Sequence, residues 1–73
     1  MNRTEYMIQK YEMYIKMWKQ DLENASKGLA EDLAKGDVEF ISSRTSTIEK
    51  CKVQINLAED FIREIKALEE EQQ

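Results

Sequence analysis

Proline and histidine are absent from this chain, and glycine and cysteine are scarce, with two glycines and one cysteine among 73 residues. Because so few residues favour a turn, we expect a few long helices in place of many short elements. A single cysteine excludes a disulfide within the chain, and a free thiol is typical of a reducing compartment. We therefore expect a cytoplasmic protein.

The absence of histidine removes the commonest transition-metal ligand and acid–base catalyst, and with it the Glu-x-x-His pattern of di-iron bundles. The sequence also contains no glycine-rich phosphate loop and no recognisable nucleophile motif. Neighbouring carboxylates such as Glu59 and Asp60 diverge by about 100° around a helix, so they form no acid–base pair by themselves. We expect a protein that is not an enzyme and needs no metal, cofactor or small-molecule substrate.

The charge and hydropathy of the chain argue against a nucleic acid or a membrane as its partner. The formal net charge is −4, which gives no help in binding phosphates. A small basic patch at Arg44, Lys50 and Lys52 keeps nucleic-acid binding as a minor alternative, beside mimicry of nucleic acid by acidic helices. No apolar run approaches the roughly 20 residues that span a bilayer, and the lysines near the N-terminus form no clean cationic face.

A strict seven-residue repeat of isoleucines organises the second half of the chain. Such a repeat keeps one edge of a helix against a partner helix, as in coiled coils. The repeat consists of Ile41, Ile48, Ile55 and Ile62, and it is extended three residues later by Cys51, Ala58 and Ile65. Arg44, Thr47 and Gln54 interrupt the pattern, so this apolar seam is weaker in its first third.

The first half of the chain shows the three- and four-residue spacing of an amphipathic helix. The apolar positions are Met7, Tyr11, Tyr14, Ile15, Trp18, Leu22, Ala25, Leu29 and Leu33. Either Asn2 or Thr4 can cap the start. Gly28 can end or bend the helix, but the apolar phase continues beyond it, which favours a continuous helix. Gly36 and Asp37 make the better break, as a glycine C-cap followed by an N-cap residue.

These patterns predict one all-α domain over residues 1–73, a long antiparallel two-helix hairpin of coiled-coil type. The first helix is expected over about 4–35, the turn at Gly36–Asp37, the second helix over about 38–70, and a frayed acidic tail at 71–73. The weak stretch Ser42–Thr47 is expected to be helical, with a local break as the alternative. Residues whose numbers sum to about 73 then lie at one level, as do Trp18 and Ile55. The predicted hairpin core is Tyr11, Tyr14, Trp18, Leu22, Ile41, Ile48, Ile55 and Ile62.

Charge agrees with this hairpin, because its open end brings segments of opposite sign together. Residues 1–20 hold four basic and two acidic residues, a net of +2, while residues 53–73 hold two basic and six acidic residues, a net of −4. Screened surface pairs contribute little individually, but the sum favours the antiparallel pairing.

A second apolar stripe on each helix is more than a lone hairpin needs. The predicted protein interface is Tyr6, Met13, Met17, Val53, Leu57, Phe61 and Leu68. An exposed patch rich in methionine and aromatic residues marks an interaction surface. We therefore predict a homodimer in which two hairpins form a four-helix bundle. The expected function is a protein–protein interaction module, acting as an adaptor or inhibitor of the kind that small mobile-element proteins provide. A purely structural self-assembling dimer is the alternative.

Overall fold

A computed structural model describes residues 2–72, which form two long helices packed side by side. Helix α1 spans Arg3–Lys35 and helix α2 spans Val38–Gln72. Among the described residues there is no strand, and the two helices run antiparallel over their length. The prediction of an all-α helical hairpin is confirmed.

The start of α1 is fixed by Asn2. Its side-chain oxygen accepts a hydrogen bond of 2.8 Å from the backbone N–H of Glu5, which satisfies one of the free donors of the first turn. The carboxylate of Glu5 also lies where the positive end of the helix dipole favours an anion. Of the two caps that the sequence offers, Asn2 is the one used, and α1 begins at Arg3.

The turn between the helices is a Schellman motif centred on Gly36. Its φ of 72° is left-handed, a conformation that glycine adopts without steric cost. The N–H of Gly36 donates to the carbonyl of Leu33 at 3.2 Å, and that of Asp37 donates to the carbonyl of Asp32 at 3.1 Å. These bonds close the last turn of α1. Helix α2 starts immediately afterwards, with Ile41 N–H bonded to the Asp37 carbonyl at 3.0 Å.

Helix α2 is continuous through the stretch where the sequence left a break open, and it runs past its expected end. In the Ser42–Thr47 stretch, the hydroxyls of Thr45 and Thr47 donate to backbone carbonyls one turn earlier, at 2.9 and 3.1 Å. These side chains are satisfied inside the helix, and no break occurs there. The helix also extends to Gln72, two residues past its expected end at about 70, because glutamate and glutamine are good helix formers. Gln73 lies outside the described residues.

The hairpin is a single layer with a thin core. It measures 56 × 18 × 12 Å, so its smallest dimension is about one helix diameter. The buried cluster consists of Ile15, Ile55, Ala58 and Ile62, with Ile8, Tyr11, Trp18 and Leu22 partly buried against it. Among the described residues, no side chain is more than 98% buried. One layer of two helices therefore shields its core incompletely.

Candidate interaction surface

The predicted core residues all lie at least partly inside the hairpin, but to different depths. Ile55 and Ile62 are buried, while the other six are half-buried: Tyr11, Tyr14, Trp18, Leu22, Ile41 and Ile48. The predicted hairpin core does not include Ile15, which is the most buried large side chain of α1. Ile8, Ile15 and Leu22 follow one another at seven-residue spacing, the same signal that identifies the seam of α2. Applying that spacing to both helices finds Ile15.

Six of the seven predicted interface residues are more than half exposed. The exposed fractions lie between 55% and 65% for Tyr6, Met13, Met17, Val53, Leu57 and Leu68. Phe61 differs, because it is half-buried and its ring meets that of Tyr11 edge-on, with centroids 4.9 Å apart. Phe61 therefore belongs to the packing between the helices as well as to the surface.

A shallow apolar groove runs between the two helices in this region. Its volume is about 290 Å³, and its lining consists of Tyr11, Trp18, Gln54, Leu57, Ala58 and Phe61. On α1 the aromatic rings form a row, with centroids of Tyr11 and Tyr14 5.9 Å apart and those of Tyr14 and Trp18 5.8 Å apart. The ammonium of Lys10 lies 5.8 Å from the Tyr14 ring centroid, within reach of a cation–π attraction.

The exposed apolar stripes of both helices lie on the side of the hairpin that carries this groove. Leu57 and Phe61 line the groove themselves, and Met17 directly precedes Trp18 on its α1 wall. Met13 lies one turn from Met17 on the outer side of the same stripe. We call this side, with the seven predicted interface residues and the groove, the groove face.

The opposite side of the hairpin is charged. The ammonium of Lys19 lies 3.7 Å from a carboxylate oxygen of Glu59 across the two helices. Each of these residues directly follows a groove-lining residue, Trp18 or Ala58, and a rotation of about 100° carries it past the core to the other side. Glu12, Lys16 and Glu23 line a polar depression on that side together with Lys19. The hairpin is therefore amphipathic as a unit.

A further exposed apolar set lies beside the turn, where the sequence predicted none. The numbers of Leu33 and Phe40 sum to 73, which places them at one level, yet they are 59% and 56% exposed, and Val38 is 76% exposed. The layer ends at Gly36, so no further helical turn covers these side chains. Surplus apolar surface is thus not confined to the open end.

Arg44, which interrupts the apolar seam, is accommodated by two residues of α1. Its Nε donates to a carboxylate oxygen of Asp32 at 3.3 Å, and the Asp32 side chain is only 13% exposed. A Cβ atom on the buried Gly28 would lie 2.5 Å from the guanidinium carbon of Arg44. The missing side chain of Gly28 therefore leaves the space that Arg44 occupies, and α1 passes through Gly28 without ending.

Comparison with known proteins adds no family to this description. No protein-family model matches the chain, and neither a curated protein nor a solved structure matches it. Within residues 2–72, neither helix has the length and apolar content to cross a membrane. The function is therefore inferred from the hairpin's own surface.

Proposed function

We propose that this chain is a small protein–protein interaction module that works through its groove face. The face packs against a second copy, so that two hairpins form a four-helix bundle, and it serves as an adaptor or inhibitor when another protein takes the second copy's place. The observation that carries the proposal is an apolar groove on a layer only 12 Å thick. A helical layer needs a second layer to enclose its core.

The surface area supports the presence of a second layer. The chain exposes 5828 Å², whereas a folded monomer of 8.7 kDa is expected to expose about 4,700 Å². The excess of about 1,100 Å² is comparable to the roughly 800 Å² that each partner buries in a standard interface. One partner on the groove face accounts for most of this excess.

The composition of the groove face also suits a protein partner. Methionine, tyrosine, phenylalanine and tryptophan are enriched at the centres of protein interfaces, where they supply most of the binding energy. Met13 and Met17 have flexible side chains that can adapt to different surfaces. The same residues can therefore pack against a second copy or against another protein, and the two occupants compete.

A purely structural dimer is the second candidate function. It is favoured by the match between the excess area and one side of an interface, because a second copy alone then covers the surplus apolar surface. Under this candidate the chain has no further partner. Only the occupancy of the groove face by another protein distinguishes the two functions.

The first test is the mass of the particle in solution. We expect light scattering after gel filtration to give twice 8.7 kDa over a tenfold or wider concentration range. Met17→Asp places a charge in the middle of the groove face and is expected to weaken dimerisation by at least tenfold, because the charge loses its hydration in the interface. Its helical circular dichroism should persist, since Met17 is 55% exposed.

Ala30→Asp is the matched control, because it adds the same charge to an exposed position of α1 outside the groove face. This variant should dimerise like the wild type. A mass of 8.7 kDa at every concentration would contradict the dimer, and equal masses for the wild type and Met17→Asp would contradict the groove face.

Capture from a cell lysate separates the adaptor or inhibitor from the structural dimer. A protein retained by the wild type and by Ala30→Asp, but lost with Met17→Asp, supports binding of another protein through the groove face. If everything retained by the wild type is also retained by Met17→Asp, the structural dimer is the better description.

A further inference from the structure

We infer that the two copies pair with the helix α1 of each over the helix α2 of the other, so that both Gly36 turns lie at one end of the bundle. This inference rests on the proposed dimer and specifies its symmetry. It identifies the occupant of the groove face as a second copy in one defined orientation.

Two face-to-face arrangements are compatible with a two-fold axis. If the axis runs along the hairpin, α1 lies over α2 of the second copy and the turns are side by side. If the axis runs across the hairpin, α1 lies over α1, α2 lies over α2, and the turns point in opposite directions. Charge and the distribution of apolar residues along the hairpin distinguish these arrangements.

The charges favour the axis along the hairpin. At the open end, residues 2–20 carry a net charge of +2 and residues 53–72 a net charge of −4. With α1 over α2, each positive segment faces a negative one, whereas turns apart with the open halves overlapping would place the two positive segments against each other and the two negative segments against each other. Complementary potentials fix the orientation of partners in this way, and like charges penalise the wrong one.

One charged residue within each apolar stripe agrees with this arrangement. Lys10 precedes Met17 by seven residues, and Glu64 follows Leu57 by seven, so each continues the stripe of its helix. The aromatic contact across the hairpin agrees with the expectation that residues at one level have numbers that sum to about 73, since the numbers of Tyr11 and Phe61 sum to 72.

With both turns at one end, residues of α1 and of the second copy's α2 that lie at one level also have numbers that sum to about 73. Met17 then lies over Leu57 of the second copy, and Lys10 lies over its Glu64. An apolar contact is thus continued by a pair of opposite charges on each side of the two-fold axis.

The distribution of apolar residues leads to the same orientation. The groove and its aromatic row lie between the levels of Tyr11 and Trp18, in the half of the hairpin away from the turn. With turns together, the two grooves meet while the hairpins overlap along their whole 56 Å. With turns apart, full overlap would displace the two grooves from each other along the hairpin, and meeting grooves would leave both turn ends without a second layer.

A distance between spin labels at the two turns tests the orientation directly. The label is attached to Lys35→Cys, an exposed position beside the turn, in a chain that also carries Cys51→Ala. With neighbouring helices about 10 Å apart, we expect a label-to-label distance below about 30 Å. The opposite orientation separates the turns by roughly the length of the hairpin, 56 Å, or more.

The outcomes distinguish the orientation from the dimer itself. A dimeric mass with a distance near or above the hairpin length overturns the orientation and leaves the proposed dimer in place. A monomeric mass for the unlabelled wild type overturns both. The labelled chain must show the wild-type mass for its distance to count.

Charge exchange provides a measurement that needs no label. Lys10→Glu and Glu64→Lys each convert two opposite-charge pairs per dimer into repulsive ones, so each variant alone should dimerise about tenfold more weakly than the wild type. Mixed together, the two variants restore both pairs, and native mass spectrometry should show the mixed dimer in excess over either homodimer. A statistical mixture of the three dimers would overturn the orientation.

Discussion

The two halves of the hairpin bury side chains of different size. The open half, residues 3–20 with 53–72, holds the buried cluster of Ile15, Ile55, Ala58 and Ile62 and the row of aromatic rings. The turn half, residues 22–51, buries only the small residues Ala25, Gly28 and Cys51 among those described. Its larger apolar side chains beside the turn are exposed.

This difference shows where the stability of a single-layer hairpin resides. Burying a large aliphatic side chain contributes about 1.5–3 kcal/mol, and alanine or cysteine contributes much less. The open half therefore supplies most of the stabilisation, while the small residues of the turn half let the two helices approach and make room for Arg44. The same type of substitution should therefore lower the free energy of unfolding more in the open half than in the turn half.

The largest contrast is expected when a charge replaces an isoleucine of the seven-residue seam. Ile55→Asp places an unpaired carboxylate in the buried cluster, which costs more than the roughly 3–5 kcal/mol that a core of this size supplies. We expect loss of the helical circular dichroism signal. Ile41→Asp changes the same seam in the turn half, at a half-buried position near the start of α2 where the helix dipole favours an anion. We expect it to stay folded, with a loss of about 1–2 kcal/mol.

Asn56→Asp controls for the added charge next to Ile55, at an exposed position. It should unfold in urea like the wild type. If Ile55→Asp and Ile41→Asp were equally damaging, the two halves would contribute equally and the comparison would be wrong.

Truncation of large aliphatic side chains should show an intermediate contrast. Ile15 is 9% exposed and Leu33 is 59% exposed. Ile15→Ala is expected to lower the free energy of unfolding by about 2–3 kcal/mol, near the small end for buried sites because solvent lies close to the core. Leu33→Ala should change it by less than about 0.5 kcal/mol, as is usual for surface sites. Urea denaturation at one fixed protein concentration measures both, and a Leu33→Ala loss as large as that of Ile15→Ala would place Leu33 in the core.

The smallest effect is expected at the contact between Gly28 and Arg44. Replacing a glycine inside a helix by alanine gains about 1 kcal/mol of helix propensity. In the Arg44→Ala background Gly28→Ala should give this full gain. With Arg44 present the new methyl group displaces the guanidinium from Asp32, and we expect about 0.5 kcal/mol less. A double-mutant cycle by urea denaturation measures the difference. Equal gains in both backgrounds would show that Arg44 and Gly28 are energetically independent.

The fold could be predicted because its signals are local or strictly periodic. The seven-residue repeat sets the buried edge of α2, and Gly36 followed by Asp37 marks the turn, so neither needs information from the rest of the structure. The numbering rule across the hairpin then follows from the position of the turn alone. It correctly brings Tyr11 to the level of Phe61.

Two features of the surface could not be predicted from the sequence. One is the direction in which a side chain projects around the helix axis, and the other is a contact that involves three residues at once. The numbering rule gives the level of Leu33 and Phe40 but not the direction in which they project, and both are exposed. In the sequence, Arg44 only interrupts the seam. Its accommodation in the structure depends on two residues of α1 together, the space at Gly28 and the carboxylate of Asp32. Phe61 similarly reads as surface, although its ring packs against Tyr11.

The single tight turn at Gly36 also determines the order in which the hairpin can close. Asp32 and Arg44 are separated by 12 residues, whereas Tyr11 and Phe61 are 50 residues apart. Their loops differ by about two doublings in length, which makes direct closure at the open half about 1.2 kcal/mol less favourable in chain entropy. Because contacts beside the turn have the lowest entropic cost, we expect them to form first and the aromatic and isoleucine contacts to follow outward. The turn half is therefore expected to close first, although the open half contributes most of the free energy of unfolding.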